Sequence, residues 1–219
     1  MGADGPSKEQ GKPVLIGRDR ELEWLLGLVK GIRDHGGALV LRGDAGIGKS
    51  VLLAVASAEA GLQGVRVFRT TAVESETRLP FAGLHQLLLP FLDRLDGLPE
   101  VQRHALEMAL GLAPREVAPD LFLIGLAALG LVADVSADSP VLFVVDDAQW
   151  IDSSSGVVLG FVARRLQMDP VLMWFAVRTG VASEFDSAGL PEYEVGRLSD
   201  EAAAALLDAQ SSGLPAGLR

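Results

Sequence analysis

The chain has 219 residues, 49% hydrophobic and 22% charged, enough for one sizeable α/β domain or one domain plus part of another; this balance excludes wholesale disorder. It carries 19 Lys+Arg against 29 Asp+Glu and shows no basic stripe of the kind that displaces counterions from a duplex, so direct DNA binding is not expected of it. Cysteine is absent, which rules out disulfides and thiolate metal sites and fits a cytoplasmic protein.

Residues 1–13, MGADGPSKEQGKP, lack the apolar core of a secretory signal and read as a flexible tail. Val14–Gly17 is a short apolar piece, with Asp19 a possible helix cap and Arg18 and Arg20 read as exposed. Leu22, Leu25, Leu26 and Val29 then recur at helix spacing until Gly36 and Gly37 stop the run. Ala38–Gly43 reads as a buried strand, Lys49–Ala60 as a helix and Val65–Thr70 as a second strand, the βαβ pattern of a parallel sheet.

Leu79–Val135 is rich in Leu and Ala, is broken by prolines, and predicts about three helices covering the sheet. Within it the uncharged run Leu121–Ala133 is shorter than the ~20 residues that cross a bilayer, so a buried helix and no membrane contact are expected. Val141–Asp147 is a hydrophobic strand ending in two acids, and a helix over Ser154–Gln167 is expected to open on a serine cap. Val171–Arg178 is another apolar strand, Tyr193–Val195 a short edge strand, and Ser199 a cap for a last helix reaching Ala209. Of the three histidines, His35, His85 and His104 share no metal-ligand spacing and are read as exposed or capping.

Chemistry concentrates at three places. Gly43, Asp44, Ala45, Gly46, Ile47, Gly48, Lys49 and Ser50 match G-x-x-x-x-G-K-[ST] between a strand and a helix. Glycines there let amides wrap phosphates, Lys49 reaches the β- and γ-phosphates, and Ser50 offers a hydroxyl to Mg2+. The helix they open, with Val51 in its first turn, adds a positive dipole end. The alternative is a glycine-rich turn that binds nothing. Asp146, ending a buried strand, is where a P-loop protein places its metal-holding acid, and Asp147 stands where a water-polarising group is needed; both are otherwise simple turn caps. Arg178 ends a strand on the side where open parallel sheets bind ligands, so it reads as a contact to the γ-phosphate or as a solvated strand end.

The ordered stretches LIGRDREL, GDAGIGKS, LPFAGLHQLL, VLFVVDDAQW and VLMWFAVRTG resemble the ATPase module of large LuxR-type transcriptional regulators. Those are signal-transducing ATPases with numerous domains, AAA-like P-loop proteins related to the maltose-regulon activator. The resemblance spans about Val14 to Leu207, with LPFAGLHQLLLPFL and VVDDAQWID its most distinctive stretches. It implies a three-layer sandwich around five parallel strands, with the Asp146 strand not directly beside the loop strand, and an extra Leu/Ala-rich helical insertion. It also implies an ATP or ADP switch that opens and self-associates with ATP. Leu15, Ile16, Gly17 and Arg18 would flank the adenine, Gly43–Ser50 cradle the phosphates, Asp146 and Ser50 hold Mg2+, Asp147 activate water, and Arg178 sense the γ-phosphate.

Two departures stand out: Asp147 replaces the family's usual glutamate, and no arginine lies between Thr179 and Pro191. On this reading residues 14–197 form the ATP-binding domain and residues 198–219 begin a truncated helical lid. Sensor and helix-turn-helix domains would lie beyond the end. A regulatory switch is the leading expectation. A stand-alone AAA or RecA-like ATPase acting on nucleic acid or protein is the rival, and a P-loop scaffold that binds no nucleotide is the third reading.

Overall fold

The computed structural model describes residues 15–114, 118 and 120–212. The expected tail at 1–13 and the last seven residues lie outside them. In chain order the elements are α1 (Asp19–Gly31), β1 (Gly37–Gly43), α2 (Lys49–Leu62), β2 (Arg66–Thr71), α3 (Ala82–Leu88), α4 (Glu100–Ala109) and α5 (Leu121–Asp138). They continue with β3 (Val141–Asp146), α6 (Ser153–Ala163), β4 (Val171–Arg178), β5 (Glu192–Glu194) and α7 (Asp200–Ser212).

The five strands form one sheet in the order β2-β3-β4-β1-β5, parallel throughout. β4 separates β3 from β1, as the resemblance implied. The interior strands are buried on both faces, which is why β3 and β4 are continuous apolar runs rather than alternating ones. Leu142, Val144, Leu172, Trp174 and Ala176 pack toward α1 and α2. Val141, Phe143, Val145, Met173 and Phe175 pack toward α3 through α6. The edges differ: β2 is only partly buried, and β5 is three residues long with Glu192 and Glu194 exposed. Short, charged edges discourage pairing with another chain.

Several boundaries depart from expectation. α1 stops at Gly31, five residues before Gly36, with a turn in between. Asp19 is not its cap; Arg18 takes that position and makes no side-chain cap bond. α5 runs on past Ala133 to Asp138, so its 18 residues are long and apolar enough to cross a membrane by length and composition. Its Ile124, Ala127, Ala128, Leu131 and Val135 are nevertheless in the core beside α4 and α6. α6 ends at Ala163 and a separate 3-10 turn covers Leu166–Met168.

The cap of α6 is Asp152, not a serine. Its carboxylate is buried and accepts from Ser155 N at 2.9 Å, Phe81 N at 2.8 Å and Gly83 N at 3.0 Å, while Ser155 Oγ accepts from Leu84 N at 2.8 Å. One acid thus satisfies orphan amides at the start of two helices. It welds LPFAGLHQLL to the segment that follows β3. The fit is tight: a Cβ at Gly83 would lie 2.6 Å from Ile151 Cγ1, and Phe81 adopts φ 68° to enter α3.

Candidate functional site

β1, β3 and β4 deliver their C-terminal ends to one edge of the sheet. From β1 the chain turns through residues 44–48 into α2. Gly43 is needed for space, since a Cβ there would sit 2.9 Å from Val195 O and 3.0 Å from Ile47 Cγ2. Gly46 and Gly48 are needed for conformation, with φ of 74° and 102°, and a Cβ on either would meet nothing within 4 Å. The loop therefore opens onto free space where its backbone is most strained for other residues. α2 has Gly48 at its N-cap, which offers its first amides no cap side chain, and no acid lies in its first turn. A helix start that carries a lysine and no acid, behind a glycine loop, is chemically suited to an anion.

Lys49 is buried, and its Nζ donates to Gly43 O at 2.7 Å and Asp44 O at 3.0 Å. Burial pushes its ammonium below the ordinary lysine pKa, with Asp147, Asp146 and Asp44 opposing that shift and Arg178 adding to it. Those five charged groups share one small volume. Ser50 and Val51 begin α2 on its exposed side.

Asp146 is buried at the end of β3, and one of its oxygens accepts from Asp147 N at 3.0 Å. Asp147 turns the chain in the left-handed region, φ 49° and ψ 38°, which short polar residues tolerate best. Its Oδ1 accepts from Gln149 Nε2 at 2.9 Å and from Arg178 Nε at 3.3 Å, and Arg178 Nη2 stands 3.2 Å away. Gln149 closes the ring by accepting from Arg178 N at 3.1 Å. Buried Gln149 was missed in the sequence; a glutamine two residues after an acidic pair was its only signal.

Leu15 and Ile16 are half-buried and Gly17 is exposed, with Leu15 packed on the α1–α2 side of the core. Arg18 is buried, contrary to expectation, while Arg20 is exposed. Arg18 Nη2 donates to Ile47 O at 3.0 Å and Gly196 O at 2.7 Å, and Nη1 pairs with Glu21 at 2.7 Å. Three carbonyl and carboxylate partners explain how a guanidinium is retained inside. Gly17 adopts φ 68°, and a Cβ on it would lie 2.4 Å from Ala202 Cβ of α7.

This strand order, with a glycine loop after β1 and an acid ending β3, defines the P-loop nucleoside triphosphatase fold. Residues 14–174 match the AAA ATPase domain, and the chain belongs to that family. No curated protein sequence matches it. Among solved structures it is similar to a chain of the E. coli MS115-1 HORMA:CdnC:Trip13 complex, with a TM-score of 0.55, 14% identity, and coverage of 93% of this chain and 71% of that one. It is equally similar to a DNA replication initiation factor, with a TM-score of 0.55, 14% identity, and coverage of 95% and 56%. AMPPCP-bound DnaA from Aquifex aeolicus follows, with a TM-score of 0.52, 13% identity, and coverage of 99% and 58%. At these identities the likeness is one of fold, and the chain spans little more than half of the last two proteins.

Proposed function

We propose that this chain is an ATP- and ADP-binding switch module of a multidomain transcriptional regulator, with slow hydrolysis or none by itself. The observation that carries the reading is the pairing of Arg178 with Asp147, beside a Lys49 whose ammonium rests on loop carbonyls. Groups suited to a γ-phosphate are here satisfied by the protein's own acceptors.

In this reading the amides of Gly43–Val51 surround the phosphates, and Lys49 exchanges Gly43 O and Asp44 O for phosphate oxygens. Arg178 exchanges Asp147 for the γ-phosphate, which only ATP offers, so ATP and ADP leave different pairings behind. Such differential contact is the requirement for any nucleotide switch. Leu15, Ile16 and Gly17 flank the base, while Arg18 braces the loop from behind through Ile47 O. Ser50 and Asp146 are the donors that would hold Mg2+, whose chemistry would be to neutralise phosphate charge. Asp147, shorter than glutamate and held by Gln149 and Arg178, is a constrained base for activating water, which supports slow turnover.

The regulator assignment rests on LPFAGLHQLL and VVDDAQWID, which Asp152 and Ser155 join physically. Lid, sensor and helix-turn-helix domains would complete the regulator, and ATP would drive self-association of the whole. Calorimetry with MgATP and MgADP, together with steady-state turnover, tests the proposal. Tight binding of both with turnover well below about 1 s⁻¹ is expected. Faster turnover would favour a stand-alone ATPase, a reading that membership of the AAA family supports. Absence of binding would leave an interaction scaffold.

A further inference from the structure

Gln149 lies in the 3-10 turn Ala148–Trp150 that follows β3, and it is buried although its side chain ends in an amide. That amide is held from both sides. Arg178 N, at the end of β4, donates to Oε1 at 3.1 Å, and Nε2 donates to Asp147 Oδ1 at 2.9 Å. A backbone N–H needs an acceptor and a carboxylate needs a donor, so both neighbours dictate the same orientation of the amide. The N–H that fixes it belongs to the backbone of a strand, and it stays in place wherever the Arg178 side chain goes.

Asp147 Oδ1 therefore has one fixed donor and one that is free to leave. The Arg178 guanidinium reaches this oxygen through Nε at 3.3 Å and Nη2 at 3.2 Å, both longer than the Gln149 bond. The Lys49 contact is built alike. Gly43 O accepts from Lys49 Nζ at 2.7 Å and also from Thr179 N at 3.1 Å, a backbone donor that remains if the ammonium departs. At both points an acceptor lent to a mobile cation keeps a second, stationary partner. Stripping an acceptor of every donor costs free energy, offset at Asp147 only in part by water, since its side chain is 33% exposed.

We propose that Gln149 is a positioning residue for γ-phosphate recognition. It holds Asp147 while Arg178 crosses to the nucleotide, and so lowers the cost of a step that ATP requires and ADP does not. The inference rests on the reading of Arg178 as the γ-phosphate contact.

Calorimetry with MgATP and MgADP on Gln149→Met, Gln149→Glu, Arg178→Ala and the double variant Gln149→Met/Arg178→Ala tests it. Methionine keeps the length and removes both bonds; glutamate keeps the acceptor for Arg178 N and removes the donor to Asp147. In each single Gln149 variant ATP affinity should fall more than ADP affinity, lowering the ratio of ADP to ATP dissociation constants by about fivefold. Within the Arg178→Ala background, Gln149→Met should leave that ratio where it is, because no hand-over remains to be assisted. Equal weakening of both nucleotides, with a lower melting temperature, would make Gln149 a simple brace between the turn and β4 and overturns the proposal. A wild-type ratio in Gln149→Glu overturns it too, as does a further fall in the double variant. If Arg178→Ala itself leaves the ratio unchanged, the γ-phosphate reading of Arg178 fails and this inference with it. A lowered ratio there, beside wild-type ratios in both Gln149 variants, removes the inference alone.

Discussion

The two ends of β1 lie a few residues apart and obey different rules. At Gly43 the strand opens into a loop whose backbone needs glycine, with Lys49 resting on loop carbonyls and Arg178 paired with Asp147. At Gly37 the strand opens onto an apolar space bounded by helix glycines that no backbone angle requires. Glycine at the first end supplies conformation, and at the second it supplies room.

Substitutions should break or sharpen that contrast. The largest effect is expected from Lys49→Ala, which removes the loop's only ammonium: the rise in melting temperature on adding MgATP should vanish, with affinity falling by at least about a hundredfold, or ~2.7 kcal/mol, by calorimetry. Next is Asp152→Ala, which strips a buried carboxylate from three backbone amides. Denaturant melts should show a loss of about 3 kcal/mol, with nucleotide affinity nearly unchanged.

Arg178→Ala should act on discrimination rather than on binding. The ratio of ADP to ATP dissociation constants should fall by about tenfold, while ADP affinity moves little, as calorimetry with each nucleotide would show. The smallest and most direct contrast is between glycines. Gly27→Ala should stabilise the protein by about 1 kcal/mol through helix propensity. Gly48→Ala, forced to φ 102°, should destabilise it by at least about 1 kcal/mol in the same thermal melt.

Most of the fold was legible because interior parallel strands must be apolar on both faces. Val171–Arg178 coincides with β4, and Ala38–Gly43, Val65–Thr70 and Val141–Asp147 each fall within a residue of a strand. Helix ends were less legible, because a cap depends on which acceptor reaches an amide. Asp152 reaches three amides, two of them about seventy residues away in the chain, and nothing in the spacing of DSSS announces that. In the candidate site, the glycine loop and the acids were visible as a contiguous motif and a strand end. The ring through Gln149 was not, since it needs β3 and β4 to be neighbours. Arg18 was misjudged for the same reason: its carbonyl partners come from Ile47 and Gly196, and only folding brings them together. The apolar space at the Gly37 end was hidden altogether, because α1, the sheet and the segment before β5 each contribute one wall.

Arg18 also has a mechanical consequence. Its single Nη2 atom grips the loop through Ile47 O and the irregular segment leading from β5 into α7 through Gly196 O, while Gly17 brings the backbone against Ala202 of that same helix. Loop, entry segment and α7 are thereby yoked like parts on a common axle. A shift of the loop by a fraction of an ångström would travel to α7 without passing through the sheet.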